Sequence, residues 1–321
     1  MEKAFGFGAN MTFEGYAPSA HPAIPSLNPN YVFRRDNLRD VLSFLDQNYG
    51  DGLWLNGATG CGKTSVVEQI ASRLNIPCYS HTCGEGDRFE TFVGRWDLVN
   101  GQTMWIDGIL VKAMKEGAIL LLNEMDALLP SEFVQFNSVT EGAPLVIDQL
   151  GGFIVRPHNK FRLIATGNSN GGSDSTGLYI GVNAQNLASM DRFVVINCHY
   201  PEAKVELEIL NKVAPSLPED IKSCMIRVAN SVRSLFSGTV IEDQSVASSV
   251  DSDIELSVTF STRTLIRWAI QTVRVHNPEN PAPIKYALQR SLLNRCRDAS
   301  EVEAIETIAE AIFGEVYDPN K

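Results

Sequence analysis

Residues 57–64 read Gly-Ala-Thr-Gly-Cys-Gly-Lys-Thr, an unbroken G-x-x-x-x-G-K-[ST] pattern. Backbone N–H groups at its small positions curl around a phosphate, Lys63 reaches the β- and γ-phosphates, and the Thr64 hydroxyl ligates Mg²⁺. An apolar strand precedes the pattern, and apolar residues at helical spacing follow it as far as Leu74. We therefore predict a site for ATP and Mg²⁺ at a helix N-terminus. The predicted nucleotide-binding residues are Gly57, Ala58, Thr59, Gly60, Cys61, Gly62, Lys63, Thr64 and Ser65.

Charge and composition restrict the partners of this chain. Its net charge is −11, which disfavours a broad nucleic-acid surface, because such surfaces need clustered Lys and Arg. No apolar run is long enough to span a membrane and the first residues do not form a signal peptide, so we expect a cytoplasmic protein.

Cys78, His81 and Cys83 lie close together without an evident fourth ligand, and we interpret them as a strand entering a loop rather than a zinc site.

The residue patterns along the sequence divide the chain into three parts. Residues 1–30 combine prolines with aromatics and predict an extended, non-helical arm that docks on its own core or on a neighbouring subunit. Residues 31–200 alternate strand and helix patterns and predict an α/β core with a parallel sheet. Residues 201–321 predict a small α-helical lid, interrupted at about 237–257 by an acidic loop that we expect to be mobile. Predicted core strands occupy 52–56, 77–81, 118–122, 161–166 and 193–196, and predicted hairpins pair 96–99 with 102–106 and 145–147 with 153–155.

Two helix starts are predicted from capping signals. Asp36 is the predicted N-cap of a helix that stops near Gly50. Ser300 and Glu303 have the spacing of a capping box at the start of the last helix.

Polar residues that follow the predicted core strands complete the site. Asn123 and Glu124 come directly after five apolar residues. At such a strand end in nucleotide hydrolases, one side chain helps to hold Mg²⁺ and the next polarises the attacking water. Asn123 is thus a predicted Mg²⁺ ligand through water, with Thr64 as the direct one, and Glu124 is the predicted general base. Asn168 ends the next strand, where it would hold the lytic water or sense the γ-phosphate; the alternative is a turn residue.

Two arginines are further catalytic candidates. Arg192 immediately precedes a strand, where it would reach a neighbouring subunit's ATP as a trans-acting finger; the alternative is an ion pair with Asp191. Arg263 lies in the first turn of a predicted lid helix, from which it would fold over the γ-phosphate of its own subunit, unless it is merely a solvated surface charge.

In combination and in order, these features resemble AAA+ ATPases of the MoxR-like branch, especially the CobS-type small ATPase subunits of aerobic cobaltochelatase. The likeness lies mainly in residues 53–200, with specific blocks at 161–168, 174–179 and 190–193 and a further match at 261–264. The resemblance implies ATP hydrolysis, a hexameric ring with ATP at subunit interfaces, and a partner that often carries a von Willebrand A-type domain. It also identifies the two hairpins as the helix-2 and pre-sensor inserts.

One residue departs from the family pattern. Asn123 stands where the family usually has Asp, so it keeps an acceptor oxygen but lacks the charge that orders the Mg²⁺ shell. Slow hydrolysis is therefore expected, with Glu124 retained as base.

Three functions are compatible with these features. The first is an ATP-driven remodeller of a partner protein, such as a chelatase subunit or chaperone. The second is a nucleic-acid motor or its loader, which the negative net charge disfavours, and the third is a slowly hydrolysing assembly scaffold.

Overall fold

The computed structural model describes residues 2–5, 13, 15–17, 20–48, 50–172, 181–247, 254, 256–277 and 279–319. The chain divides into two compact units. The first comprises Met1–Pro29, Phe33–Ala58 and Gly62–His199, and the second comprises Asn30–Val32, Thr59–Cys61 and Tyr200–Lys321. No helix in the described part of the chain is both long enough and apolar enough to cross a membrane.

The first unit is built on a parallel sheet, as the sequence predicts. Its five strands lie in the order β2-β5-β8-β1-β9, and every neighbouring pair is parallel. Parallel strands that are covered on both faces carry continuous apolar runs, and β5 is buried along its whole length. The strands are β1 (Gly52–Asn56), β2 (Cys78–Thr82), β3 (Gly94–Val99), β4 (Gln102–Asp107), β5 (Ile119–Asn123), β6 (Leu145–Ile147), β7 (Phe153–Val155), β8 (Arg162–Gly167) and β9 (Phe193–Asn197).

Two antiparallel hairpins project from this unit at the predicted positions. In the first, Val99 of β3 pairs with Gln102 of β4. The two residues between them have positive φ, 52° at Asn100 and 80° at Gly101, which is the geometry that makes Asn-Gly a strong hairpin signal. In the second hairpin β6 pairs with β7, and a short 3₁₀ turn at Asp148–Leu150 joins the strands.

Helices of the first unit follow the hydrophobic spacing of the sequence. They are α1 (Glu2–Phe5), α2 (Arg35–Asp46), α3 (Lys63–Leu74), α4 (Phe89–Val93), α5 (Ile109–Glu116), α6 (Pro130–Phe133), α7 (Asn137–Thr140) and α8 (Leu187–Met190). The predicted N-cap of α2 is wrong, because Arg34 occupies that position and Asp36 lies inside the first turn. There its negative charge still complements the helix dipole.

The C-terminal end of α2 is held by an arginine from β8. The buried guanidinium of Arg162 donates hydrogen bonds to the carbonyl oxygens of Phe44, Leu45 and Asp46, at 3.1–3.3 Å. These are carbonyls that no intrahelical N–H can satisfy. Burial lowers the pKa of Arg162. A guanidinium nevertheless keeps its charge in proteins, so the charged Arg162 side chain provides hydrogen-bond donors for the carbonyl oxygens at the end of α2.

The N-terminal arm docks on its own unit, one of the two alternatives left open by the sequence. The Tyr16 amide donates to Leu74 O at 2.8 Å, the Tyr16 hydroxyl donates to Gly117 O, and Ala23 O accepts from the Cys78 amide at 2.8 Å. The arm was expected to lack helix, and α1 contradicts this. Helix α1 ends well before Pro18, the first proline of the arm, so no proline interrupts it. Several arm residues, among them Phe7 and Pro18, lie outside the described part.

The second unit is helical, as predicted. It contains α9 (Ala203–Val213), α10 (Glu219–Phe236), α11 (Gln244–Ala247), α12 (Thr262–Val275), α13 (Pro283–Ser291) and α14 (Ala299–Phe313) around its own apolar core. The capping box predicted for α14 is wrong: Asp298 is the N-cap, and its side chain accepts from the Glu301 amide at 3.1 Å. Ser300 instead donates to Asp298 Oδ1 at 2.6 Å, so it supports the cap.

The described part of the predicted acidic loop contributes to this core. It includes α11, where Val246 is fully buried, and an ion pair of 2.7 Å joins Arg227 to Asp243. Residues 248–253 and 255 of the loop lie outside the described residues.

Candidate nucleotide-binding and hydrolysis site

The phosphate loop lies between β1 and α3. Three of its glycines have positive φ, at 152° for Gly57, 75° for Gly60 and 99° for Gly62, and Lys63 is the first residue of α3. A Cβ on Gly62 would meet nothing within 4 Å, so backbone conformation rather than crowding requires glycine there. The chain thereby enters α3 with its loop amides at the positive end of the helix dipole, an arrangement that fits a phosphate.

Lys63 is held close to this loop by three oxygen acceptors. Its Nζ donates to Gly57 O at 2.5 Å, to Ala58 O at 3.2 Å and to Asn168 Oδ1 at 3.0 Å. The side chain is only 9% exposed. A nearly buried ammonium needs such acceptors, and phosphate oxygens supply the same kind of contact with a stronger charge. The structure therefore brings Lys63 and Asn168, both predicted site residues, together at the phosphate loop.

Thr64 and Asn123 form the second half of the arrangement. Thr64 Oγ1 donates to Asn123 Oδ1 at 2.6 Å, and Asn123 Nδ2 donates to Ser80 Oγ at 2.9 Å. Thr166 Oγ1 also donates to Asn123 Oδ1, at 3.5 Å. Hydroxyl and amide oxygens are hard ligands that suit Mg²⁺, which retains several waters and uses few protein groups. The residues present thus fit the ion: Thr64 would be the inner ligand, and Asn123 would lie beside it.

Glu124 has an unusual backbone conformation for its residue type. Its φ is 53°, in the left-handed region, and its amide donates to Thr166 Oγ1 at 3.2 Å. Such a conformation costs a non-glycine residue about 1–3 kcal/mol and is concentrated at functional sites. The side chain is exposed although the strand before it is buried. A carboxylate is therefore accessible to water next to Asn123, which a general base requires.

Asp126 is a buried residue of the site that the sequence analysis missed. It is 1% exposed, and its Oδ2 accepts from the Asn168 amide at 2.7 Å and from the Ser169 amide at 3.2 Å. Burial raises the pKa of this carboxyl, while the two amides and Lys63 oppose the shift. Asp126 therefore fixes the backbone that carries Asn168. The available signal was an acidic residue inside the otherwise apolar stretch from Met125 to Leu128.

Arg192 is paired within its own unit. Its Nε lies 2.8 Å from Glu141 Oε1, and its guanidinium also donates to Ala188 O. The alternative weighed from the sequence was a pair with Asp191, and the acidic partner is Glu141 instead. The two side chains are 30% and 54% exposed, so solvent weakens the pair and release of Arg192 costs little.

Arg263 belongs to the second unit and is exposed in the first turn of α12. That helix begins as predicted, because the Ser261 hydroxyl accepts from the Thr264 amide at 3.1 Å. The neighbouring Thr262 hydroxyl donates to Glu206, whose carboxylate forms a buried pair of 2.7 Å with Arg233. The start of the helix that carries Arg263 is thus anchored from both sides. The sequence block at 174–179 lies outside the described residues.

Comparison with known proteins supports this architecture. Residues 52–179 match the AAA domain of the dynein-related subfamily, and residues 206–312 match the CbbQ/NirQ/NorQ C-terminal domain. Similar proteins include the aerobic cobaltochelatase subunit CobS of a Sinorhizobium species, 29% identical over 98% of this chain and 90% of that protein. Protein NorQ of Paracoccus denitrificans is 28% identical over 81% of this chain and 86% of its own length.

The two domain matches occur in the order in which the α/β unit and the helical unit follow each other, and together they span most of the chain. The parallel sheet with its phosphate loop is consistent with the first match, and the helical C-terminal unit with the second. The chain thus combines an AAA domain of the dynein-related subfamily with a CbbQ/NirQ/NorQ C-terminal domain, in agreement with its resemblance to MoxR-like AAA+ ATPases.

Proposed function

We propose that the protein is a Mg-ATP-dependent ring ATPase that remodels or activates a partner protein complex. The observation that carries this proposal is the convergence of loop and strand-end side chains in the first unit. Lys63 contacts Asn168 at 3.0 Å, and Thr64 contacts Asn123 at 2.6 Å. Two adjacent polar pairs at the mouth of a phosphate loop fit a triphosphate with its cation.

The proposed reaction assigns one step to each group. Glu124 accepts a proton from water, whose oxygen attacks the γ-phosphorus while the bond to the β-γ bridging oxygen breaks, releasing ADP and phosphate. Asn168 positions that water or the γ-phosphate, and Lys63 compensates the charge of the phosphates. Mg²⁺, when bound, would neutralise charge on the β- and γ-oxygens.

The ring is part of the proposal, and two arginines have roles in it. Arg192 is the candidate finger for the ATP of a neighbouring subunit in a hexamer, and its weak pair with Glu141 is the contact it would exchange. Arg263, in the helical unit, is the candidate that acts on the ATP of its own subunit.

A protein partner fits the surface better than a nucleic acid does. The first hairpin exposes large apolar side chains, with Trp96 at 51%, Leu98 at 71% and Met104 at 47%, and such surfaces suit protein contacts. Arg95 on the same hairpin is paired with Asp97 at 3.2 Å, and the net charge of the chain is −11. Since one similar protein is named as a cobaltochelatase subunit, a chelatase-like complex, or a protein with a von Willebrand A-type domain, is the partner class we propose.

A slowly hydrolysing scaffold is the second candidate, and Asn123 is the observation that favours it. The neutral amide donates to Ser80 and accepts from Thr64, so no carboxylate orders the Mg²⁺ shell there. In that case nucleotide binding would control assembly, and turnover would be incidental.

The test measures phosphate release from MgATP by the purified protein, together with its mass by light scattering in ADP and in ATP. Glu124→Gln, which should bind ATP without hydrolysing it, then serves as a trap for partner proteins identified by mass spectrometry. Turnover that single-stranded DNA or RNA stimulates at low ionic strength would favour a nucleic-acid motor. Nucleotide-dependent assembly without measurable turnover would favour the scaffold, and a monomer without ATPase activity would contradict both.

A further inference from the structure

An open groove in the helical unit is separate from every residue assigned to the nucleotide site. Its volume is about 1150 Å³, and the ends of α10, α12, α13 and α14 surround it. This exceeds the size of a usual small-molecule pocket, roughly 300–1,000 Å³. A groove of this size between helices has room for a turn or two of another polypeptide.

The floor of the groove is apolar and rigid. Val273 and Val316 lie in it with 36% and 52% of their surface exposed, beside the buried side chains of Leu217 and Ile284. Four of the lining residues are prolines, Pro218, Pro281, Pro283 and Pro319. Because proline has a fixed φ, a wall rich in proline loses little conformational freedom when a ligand binds. The groove is therefore preformed for an apolar side chain.

The rim of the groove is acidic. Glu310, Glu315 and Asp318 line it, and none of its described lining residues is a lysine or arginine. Lys285 lies outside the lining and is engaged by Asp318 Oδ2 at 2.9 Å and by Glu306 at 3.8 Å.

The acidic side chains near the groove also affect the pKa of a fully buried neighbour, Tyr317. Burial raises the pKa of the Tyr317 hydroxyl, and the carboxylates of Glu306, Glu310 and Asp318 raise it further. Acidic side chains next to an apolar floor select against nucleic acids and acidic peptides, since like charges brought together cost free energy.

The geometry points to this groove as the docking site for a short amphipathic segment of a partner protein, with apolar residues on one face and lysine or arginine beside them. Its apolar side chains would cover Val273 and Val316, and its cations would face Glu310 and Glu315. Docking here needs no nucleotide-site residue, so the inference is independent of the proposed ATPase activity.

The test uses three fluorescein-labelled peptides of 12 residues and fluorescence anisotropy. The first has leucines at helical spacing with lysine elsewhere, the second replaces every lysine by glutamate, and the third has the lysine composition with the leucines scattered. We expect binding of the first alone, weakening as salt rises. Equal binding of the glutamate peptide, or no binding of the lysine peptide up to about 1 mM, would overturn the inference.

Matched variants separate docking from general attraction to an acidic protein. Val316→Asp adds a negative charge at an exposed position, so it should strengthen unspecific attraction but weaken docking by about tenfold through lost apolar contact. Glu310→Gln with Glu315→Gln should weaken docking by a few fold, whereas Glu303→Gln, an exposed glutamate on the same helix as Glu310, should not. Lys63→Ala should bind the peptide like the parent.

Two results would show that the groove is not the docking site of a partner segment. Unchanged affinity in Val316→Asp, with its thermal unfolding equal to that of the parent, would place the peptide elsewhere and overturn the inference. A concentration-dependent mass increase of the parent that Val316→Asp abolishes would make the groove an interface between copies of this chain, and would likewise overturn it.

Discussion

Thr64 Oγ1 and Asn123 Oδ1 lie 2.6 Å apart, so a hydroxyl on the first turn of α3 is bonded to an amide at the end of β5. The same amide donates to the Ser80 hydroxyl at 2.9 Å on β2. Helix α3 and the strands β5 and β2 are thus joined through neutral polar groups at the place where we propose the Mg²⁺ shell.

Asn123→Asp should tighten the dependence of turnover on Mg²⁺ and raise the rate. The local structure can accept a carboxylate, because Thr64 already donates to this position and the Ser80 hydroxyl can rotate from acceptor to donor. Half-saturating Mg²⁺ for phosphate release is the quantity to measure, and we expect it to fall several fold. Asn159→Asp adds the same charge at an exposed position of this unit and should change nothing. Rapid ATP hydrolysis by the parent that Asn123→Asp leaves unaltered would show that the amide at this position does not limit the rate.

Lys63→Ala should lower ATP affinity by about 10–100-fold, because charge-assisted hydrogen bonds to phosphate are lost. It also removes the donor of the contacts to Gly57 O, Ala58 O and Asn168. Calorimetric titration with ATP gives the affinity, and Lys112→Ala, another partly buried lysine of the first unit, is the control. Nucleotide binding close to that of the parent would remove Lys63 from the site.

Glu124→Gln should preserve ATP binding and reduce turnover by about 10²–10⁴-fold, the usual loss for a general base. The amide keeps the shape of the side chain but cannot accept the proton. Glu90→Gln, an exposed glutamate of the same unit, should retain full turnover. If the Glu124 variant hydrolyses ATP as fast as the parent, another group is the base.

The sheet and its hairpins were predictable because their signals are local and strong. A continuous apolar run marks the buried strand β5, and Asn100-Gly101 sets the turn of the first hairpin. The proximity of the proposed site residues was predictable for a related reason. Asn123 ends β5, Glu124 and Asn168 follow β5 and β8 directly, and the carboxyl ends of parallel strands meet at one edge of the sheet.

Long-range polar contacts could not be predicted in the same way. Glu141 lies far from Arg192 in sequence, so nothing local distinguishes it from Asp191 as a partner. The role of Asp126 depends on amides of the chain after β8, and that of Arg162 on carbonyls at the end of α2. The N-cap of α14 was misassigned because Asp298 and Ser300 are both good capping residues, and only the backbone conformation chooses between them.

Asp126→Asn should lower the maximal rate about tenfold while ATP affinity changes little. The amide is isosteric, but a neutral acceptor holds the Asn168 and Ser169 amides more weakly than a carboxylate does. Asp126→Ala leaves both amides without this acceptor and should lower the free energy of unfolding by about 1–3 kcal/mol. Single-turnover kinetics and chemical denaturation separate the two effects. Equal rates in the parent and the Asn variant would limit Asp126 to a structural role.

Arg192→Ala should reduce the rate by about 10³-fold or more with little change in ATP affinity, because a finger acts on charge that develops in the transition state. Glu141→Ala is the matched control: it removes the partner of the same partly exposed ion pair. If the pair matters only for stability, both variants should lower the unfolding free energy by up to about 1 kcal/mol and have similar rates. If Arg192 is the finger, only Arg192→Ala loses turnover.

Mixing experiments then show whether the finger acts between subunits. Rings mixed from Arg192→Ala and Lys63→Ala chains contain some interfaces that join an intact phosphate loop from the first to an intact arginine from the second. At an ATP concentration too low to saturate Lys63→Ala, each variant alone should release little phosphate, so phosphate release recovered on mixing would come from these interfaces. Mixed assembly is verified beforehand by native mass spectrometry. Mixed rings that remain inactive would place Arg192 in a structural role beside Glu141, and a protein that stays monomeric in every nucleotide would exclude the ring mechanism.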